Sequence, residues 1–255
     1  MKSQLGLFLL AAVLPAQVSA PRVGFARFAG GSVHAVSGLP ANFLVADLPV
    51  ARADRLSFSD SGGLLARNGE IDLVDANAQP VASFASGEAA PLLNVDGALT
   101  TAIAWLPSSH SILHWDGKAF ALTQTTFDGD ITALQWIEPE KARLLVLEDN
   151  ASVSAVIVSL KTGQVIDSQT VPGMEGRVFA QYSFLLAANS KTLVIESANG
   201  QSRVLPLAAP DITTERMSSD WLHIFSASSG EHWALHLTQT DLHLSRMPPA
   251  REAAQ

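Results

Sequence analysis

Leu56-Ser57-Phe58-Ser59-Asp60-Ser61-Gly62-Gly63-Leu64-Leu65-Ala66 is the stretch that decides the fold. Apolar residues on either side of a polar, glycine-containing turn predict two short strands joined as a hairpin. Weaker copies of this plan are centred on Trp105, Trp136, Phe179 and Met217. Starting from Phe58, the gaps between successive centres are 47, 31, 43 and 38 residues. A repeat of about 40 to 45 residues with up to four strands is the length of a β-propeller blade.

The strands between the anchors support this reading. The first unit predicts four strands, at 56–59, 64–67, 71–75 and 81–84, and the third unit is equally regular. The second unit shows only three, at 101–106, 111–115 and 119–123, so its blade is expected to be incomplete. Val23–Phe28 and Ser32–Ser37 predict a hairpin around Gly30-Gly31, and Leu39–Ala53 predicts a loop.

No convincing amphipathic helix of a dozen residues occurs in the sequence, so we predict an all-β fold. Short strands at even spacing also suit a sandwich or a barrel, but the repeat at blade length favours a propeller of five or six blades. The N-terminal strands form either a small sixth blade or a closure that ties the ring shut. The predicted domain covers residues 21–247, and residues 248–255 are predicted to be a disordered tail.

Composition excludes several classes of function. The chain has 255 residues, a formal net charge of −8, 16% charged residues and no cysteine. Disulfides, thiolate nucleophiles and cysteine-based zinc sites are therefore excluded. Because no basic cluster occurs, we expect neither a nucleic-acid partner nor binding to an anionic membrane. No phosphate-binding loop or dinucleotide-binding glycine motif is present, so we predict no cofactor.

Residues 1–20 read as a secretory signal peptide. Lys2 is followed by an apolar run from Leu5 to Leu14, too short to span a bilayer, and Val18-Ser19-Ala20 supplies small residues for cleavage. Pro21 would follow the cut, which is an unfavourable position for the peptidase. We expect a periplasmic or extracellular protein with no membrane association beyond this segment.

Two stretches carry a family resemblance. Leu56–Ala66 is similar to the strand–turn–strand of WD40- and YVTN-type propellers, and the stretch Ala155-Val-Ile-Val-Ser-Leu-Lys-Thr-Gly163 is similar to their third strand. Together with the leader, the repeat resembles that of secreted bacterial propeller proteins. The resemblance implies the fold and carries no activity.

The C-terminal unit holds a candidate metal site. His232 and His236 lie four residues apart on one predicted strand and therefore share a face, and neutral imidazole is a common metal ligand. The alternative is that strand alternation places His232, Ala234 and His236 on an exposed face, opposite Trp233 and Leu235.

The ends of the innermost strands supply a second candidate site, because the first strand of each blade lines the central channel of a propeller. The ligand-binding candidates at the predicted channel mouth are Asn94, Asp130, Arg177, Asp211 and Glu215. Several acids converging there could hold a cation, whereas polar residues beside a water-filled channel are the simpler interpretation.

The sequence shows the repeat of a propeller but no recognised catalytic motif. This combination favours an exported, non-catalytic propeller. We expect it to bind an unidentified protein or small-molecule ligand through the loops at its channel mouth. The alternative is a lactonase-like hydrolase with a divalent metal in the channel. Three or more carboxylate or amide groups converging on one point of the channel would favour the hydrolase.

Overall fold

The computed structural model describes residues 20–149, 151–181, 183–188, 192–197, 200–207 and 211–250. The predicted signal peptide, except Ala20, and residues 251–255 of the predicted tail lie outside the described residues. The described chain is all-β, as predicted, apart from single 3₁₀ turns at Ala29–Gly31 and Pro107–Ser109. None of its helical turns is long and apolar enough to cross a membrane.

The strands form an N-terminal sheet followed by five antiparallel meanders, which we number sheets 1 to 5. The N-terminal sheet contains β1 (Arg22–Arg27), β2 (Ser32–Leu39), β3 (Asn42–Val45) and β4 (Ala51–Arg52). Sheet 1 contains β5 (Arg55–Ser59), β6 (Gly62–Arg67), β7 (Glu70–Asp75) and β8 (Pro80–Ala85). Sheet 2 contains β9 (Leu92–Val95), β10 (Ala102–Leu106), β11 (Ser111–Trp115) and β12 (Phe120–Gln124).

The remaining three sheets repeat this order. Sheet 3 contains β13 (Asp130–Glu138), β14 (Lys141–Leu147), β15 (Ser152–Ser159) and β16 (Val165–Glu175). Sheet 4 contains β17 (Val178–Gln181), β18 (Phe184–Ala188), β19 (Thr192–Ser197) and β20 (Ser202–Pro206). Sheet 5 contains β21 (Ile212–Arg216), β22 (Trp221–Ser226), β23 (His232–Leu237) and β24 (Leu242–Met247). A single parallel pair, Arg216 with Ser57, joins sheet 5 to sheet 1.

Hydrophobic clusters connect the sheets into a propeller-like ring. Within the described chain, one cluster lies between each successive pair of sheets from 1 to 5. Two more attach the N-terminal sheet, one to sheet 5 around Met217 and Ala234, the other to sheet 1 around Phe25 and Phe58. Each sheet therefore buries apolar side chains on both faces, and this burial is the main stabilising force of such an arrangement.

The N-terminal sheet closes the ring through close backbone contact. The backbone N–H of Phe25 donates a hydrogen bond to the carbonyl oxygen of Met217 at 3.1 Å. Gly24, at φ 147°, makes this approach possible, because a Cβ there would lie 2.2 Å from the same carbonyl oxygen. The sheet thus fills the gap between the first and last meanders, where two sheet faces would otherwise be exposed.

Two sequence-based expectations were wrong. Sheet 2 has four strands, not three, because Leu92–Val95 pairs with β10 as the innermost strand. Its four residues are too few to show a clear alternation. The predicted loop at Leu39–Ala53 contains β3 and β4, which pair with successive parts of β2 and complete the N-terminal sheet.

Candidate functional site

A central cavity of about 160 Å³ lies where the first strands of sheets 1 to 5 meet. These strands are β5, β9, β13, β17 and β21. Successive strands from β5 to β17 contact one another, β21 contacts β5, and a hydrophobic cluster joins sheets 4 and 5. Polar and charged side chains are interspersed with apolar ones in its wall: Arg55, Asn94, Arg177, Gln181, Glu215 and Arg216. The cavity is therefore a polar chamber inside an otherwise apolar ring.

Turns that follow the first strands are hydrogen-bonded to one another at one end of the ring, which we call the closed end. The Ser219 N–H donates to Oδ1 of Asp60 at 3.3 Å, and Ser61 Oγ donates to the Gly97 carbonyl at 3.1 Å. Gln181 Nε2 donates to the carbonyl of Ser219 at 3.1 Å. Turns from sheets 1, 2 and 5 are thus held together, with the end of β17 attached to them.

Arg216 reinforces the closed end from inside. Its Nη1 donates to the carbonyl oxygen of Val95 on β9, and its Nε donates to that of Ser218 at 3.2 Å. Burial lowers the pKa of Arg216 to about 10, and the nearby carboxylates of Asp60, Asp96 and Asp220 act in the opposite direction. The guanidinium therefore stays protonated at neutral pH.

The opposite end, where the first strands begin, is the channel mouth. Arg55 is the first residue of β5, and Arg177 immediately precedes β17. Both line the cavity; Arg55 is half-buried and Arg177 is exposed. Among the residues that the structure describes, neither guanidinium forms an ion pair within 4.0 Å. Two guanidinium groups of the cavity wall therefore lie at the mouth.

Glu215 is the carboxylate of the described cavity wall, and it is already engaged. Arg27 Nε, from the N-terminal sheet, lies 2.8 Å from its Oε1 and 3.1 Å from its Oε2. Burial raises the pKa of Glu215, whereas Arg27, Arg55 and the Leu56 N–H act in the opposite direction. With both oxygens held by Arg27, this carboxylate stabilises the ring rather than offering an open cation ligand.

The structure brings three of the five predicted channel residues together. Asn94, Arg177 and Glu215 line the cavity. Asp130 is exposed at the start of β13 and is not part of the wall. Asp211 accepts a hydrogen bond from Ser226 Oγ at 2.7 Å, and this bond, followed by that of the Ser228 N–H, lowers the pKa of the Asp211 carboxyl. Asp211 therefore has a local role at its turn, whereas Asp130 is a surface residue.

The two predicted metal-binding histidines are not brought together. His232 Nδ1 lies 2.8 Å from Nε2 of His223, and the rings stack 5.0 Å apart. His236 Nδ1 instead lies 2.8 Å from Oδ2 of Asp241, beside Trp221. Residues four apart on a strand are separated by about 13 Å, too far to share a metal ion directly. Across the described ranges, no group of three or more His, Cys, Asp or Glu side chains is placed to hold one.

The alternation argument for an exposed histidine face was also wrong. His232 and Ala234 are buried, at 6% and 0% exposure, because this face of sheet 5 packs against the N-terminal sheet. Phe28 of that sheet contacts the rings of both His223 and His232. Alternation predicts which residues share a face, but it cannot show that a distant segment covers that face.

Sequence reasoning did not single out Arg27 or Arg216 as neighbours of the cavity. Arg27 lies in the N-terminal hairpin, far along the chain from its partner. Arg216 follows Glu215 directly, and its guanidinium reaches the Val95 carbonyl on β9. The available signal in the sequence was the adjacent charged pair Glu215-Arg216 at the end of a predicted inner strand.

Two larger depressions lie between sheets outside the channel. One, of about 300 Å³, lies between sheets 4 and 5 beside Arg203 and the turn at Thr238–Thr240. The other, of about 480 Å³, lies between sheets 3 and 4 beside Trp136 and Arg143. Each draws its lining from two sheets, whereas the central cavity draws on all five meanders.

Comparison with known proteins supports the fold alone. No protein-family model and no curated protein matches the sequence. The lectin of Aleuria aurantia, solved with Fucα1-6GlcNAc, matches with a TM-score of 0.53 and 11% identity over 91% of this chain and 93% of that chain.

Weaker matches include the WD40 domain of Toxoplasma gondii coronin, with a TM-score of 0.46, 11% identity, and coverage of 88% of this chain and 69% of that chain. BamB from Moraxella catarrhalis matches with a TM-score of 0.37, 16% identity, and coverage of 89% and 77%. The ring of four-stranded sheets identifies the fold of this chain as a β-propeller.

Proposed function

We propose that this protein is an exported, non-catalytic propeller that binds a small ligand in its central cavity through the channel mouth. The observation that carries the proposal is a polar cavity at the ring centre, with Arg216 in its wall towards the closed end and Arg55 and Arg177 at its mouth. A chamber with one open end admits a ligand and holds it against a fixed wall.

The proposal includes a ring of six sheets in which the N-terminal sheet acts as a small sixth blade. Its own apolar clusters against sheets 5 and 1 support this count. Its strand β1 supplies Arg27 to Glu215 beside the cavity. A sheet that packs on both neighbours and reaches the centre has the role of a blade, although β21 and β5 pair directly beside it.

The cavity volume limits the ligand. A water molecule occupies about 30 Å³ in the liquid, so a space of about 160 Å³ corresponds to roughly five waters. Drug-sized ligands occupy pockets of about 300 Å³ or more. We therefore propose a ligand of a few non-hydrogen atoms, or the terminal group of a larger molecule that enters at the mouth.

The lactonase-like alternative is less well supported. A divalent metal needs several oxygen or nitrogen ligands, and carboxylates are its usual anionic ones. The described wall offers one carboxylate, bound on both oxygens by Arg27, among three arginines. Gln181, one of the two amide side chains in the wall, already donates to Ser219. Positive charge around the cavity opposes the binding of a cation.

Native mass spectrometry of protein purified from its own exported fraction tests the proposal. We expect a small bound species that is absent from an Asn94→Phe variant, because the larger ring would occupy the cavity. Asn42→Phe, at an exposed position on β3, is the matched control and should retain the species. Retention of the same species by Asn94→Phe, with the fold verified by circular dichroism, would contradict a central site.

The same sample tests export. The mature protein should lack Met1 and the residues that follow it in the predicted leader. An intact N-terminus in protein recovered from the cytoplasm would refute the exported part of the proposal while leaving the cavity open to test.

A further inference from the structure

We propose that the ligand of the central cavity carries an oxyanion, a carboxylate or a phosphate group, which binds between Arg55 and Arg177. This inference rests on the proposed function, because it names the ligand class of the same cavity. It makes the channel mouth an anion-binding site in a protein of net charge −8.

The charges of the wall favour an anion. Three arginines and one glutamate line the cavity, a formal surplus of two positive charges. Arg216 lies at the closed end, where it donates to the carbonyl oxygens of Val95 and Ser218, so the other two arginines of the wall, Arg55 and Arg177, are those of the mouth. Glu215 forms its ion pair with Arg27. No described ion pair joins Glu215 to Arg55.

Arginine is suited to this ligand. Its planar guanidinium presents paired N–H donors that match the two oxygens of a carboxylate or phosphate. The Arg55 guanidinium uses Nη1 to donate to the Asp54 carbonyl at 3.3 Å, and the described ion pairs use none of its donors. Asn94 and the hydroxyl of Thr214 add neutral polar groups to the wall.

A cationic or neutral ligand has weaker support from the same wall. A cation would meet two guanidinium groups at the mouth that form no described ion pair, and one carboxylate already bound on both oxygens. A neutral sugar would find few rings for stacking, since Phe179 supplies the aromatic side chain of the described wall. The observations therefore favour an anion over both.

Isothermal titration calorimetry on the full protein, at constant ionic strength, tests the inference. The probes are inorganic phosphate and succinate, which separate the two sources of an oxyanion, with choline and glucose as the cationic and neutral comparisons. We expect at least one anion to bind more tightly than choline and glucose. Arg55→Gln and Arg177→Gln should each weaken binding about tenfold or more, as expected for loss of a hydrogen bond to a charged group.

Two matched variants locate the site. Arg52→Gln, at an exposed position on β4, should leave binding unchanged. Arg203→Gln reports on the depression between sheets 4 and 5 and should also leave it unchanged. All variants are compared by thermal unfolding, so that a loss of binding in a folded protein is attributed to the missing guanidinium.

The opposing outcomes are distinct. Absence of binding by both anions at millimolar concentration, sensitivity to Arg203→Gln instead, or dependence on only one of Arg55 and Arg177 would overturn the inference. A neutral or cationic species that Asn94→Phe displaces, and that both mouth variants retain, would overturn the inference while leaving the proposed cavity function standing. If Asn94→Phe displaces no bound species at all, both the oxyanion inference and the proposed cavity function are contradicted.

Discussion

Arg27 Nε lies 2.8 Å from Oε1 of Glu215, although 188 residues separate the two in sequence. Their side chains are 17% and 4% exposed, so the ion pair is largely shielded from water. It joins the N-terminal sheet to the first strand of sheet 5 next to the central cavity. The pair therefore links closure of the ring to the wall of the candidate site.

Glu215→Gln is expected to destabilise the protein by about 3 kcal/mol, the lower end of the range for breaking a buried ion pair. The amide keeps the shape of the side chain but leaves the Arg27 charge without its partner. Urea unfolding at pH 7 measures the change. Glu138→Gln, which removes an exposed pair with Lys141, should cost about 0–1 kcal/mol. Equal effects of the two substitutions would contradict a structural role for the buried pair.

Gly24→Ala is expected to loosen the N-terminal sheet. An added Cβ would lie 2.2 Å from the backbone oxygen of Met217, and neither backbone can yield without breaking the Phe25–Met217 hydrogen bond. Gly30→Ala is the matched control, because Gly30 also has a positive φ, 69°, but no atom lies within 4 Å of the added Cβ. Gly30→Ala should lower the free energy of unfolding by about 1–2 kcal/mol, the cost of placing alanine in the left-handed conformation.

Hydrogen exchange distinguishes the two glycine variants. In Gly24→Ala, amides of β1 and β2 should lose protection while those of sheet 3 keep it. The same protection pattern in both variants would show that steric contact at Met217 does not control the docking of the sheet.

Phe58→Ala is expected to cost about 3–5 kcal/mol, as for other large-to-small changes in a packed core. Phe58 is fully buried, and its ring centroid lies 4.5 Å from that of Phe25 across the interface between sheet 1 and the N-terminal sheet. Thermal or urea unfolding measures the loss. Leu48→Ala, at a side chain that is 75% exposed, should change stability by about 0.5 kcal/mol or less.

The His223–His232 pair predicts acid sensitivity. Burial lowers the pKa of His223 well below 6.5 and that of His232 to about 4, and the Arg27 charge acts in the same direction on both. The folded state therefore binds fewer protons than the unfolded state, so stability is greatest above about pH 6.5 and declines as the pH falls towards 4. Urea midpoints measured between pH 7 and pH 4 should show this decline.

A double variant, His223→Phe with His232→Phe, isolates the contribution of the pair. Replacing both partners removes the titrating groups together and leaves no unpaired imidazole nitrogen. The decline between pH 6.5 and pH 4 should become shallower, and the remainder should come from carboxylates. An unchanged slope in the double variant would show that these imidazoles do not govern the acid response.

Local patterns predicted much of the fold. Strands of sheets 1 and 3 form close to the expected positions, because each carries alternating apolar residues between strong turn signals. β9 and β3 were missed because four residues give little periodicity, and their pairing with neighbouring strands is what makes them strands. Of the candidate site, Asn94, Arg177 and Glu215 were predicted at the channel, and they line the cavity.

The sequence by itself determined the repeated strand–turn–strand unit, since apolar alternation and turn chemistry act over a few neighbouring residues. Only the tertiary structure decided that the N-terminal sheet covers His232, that Arg27 meets Glu215, and that Arg216 reaches Val95. Those contacts depend on the order in which sheets pack around the ring. The residues that meet across such an interface lie far apart along the chain. No local sequence pattern therefore shows which of them will be in contact.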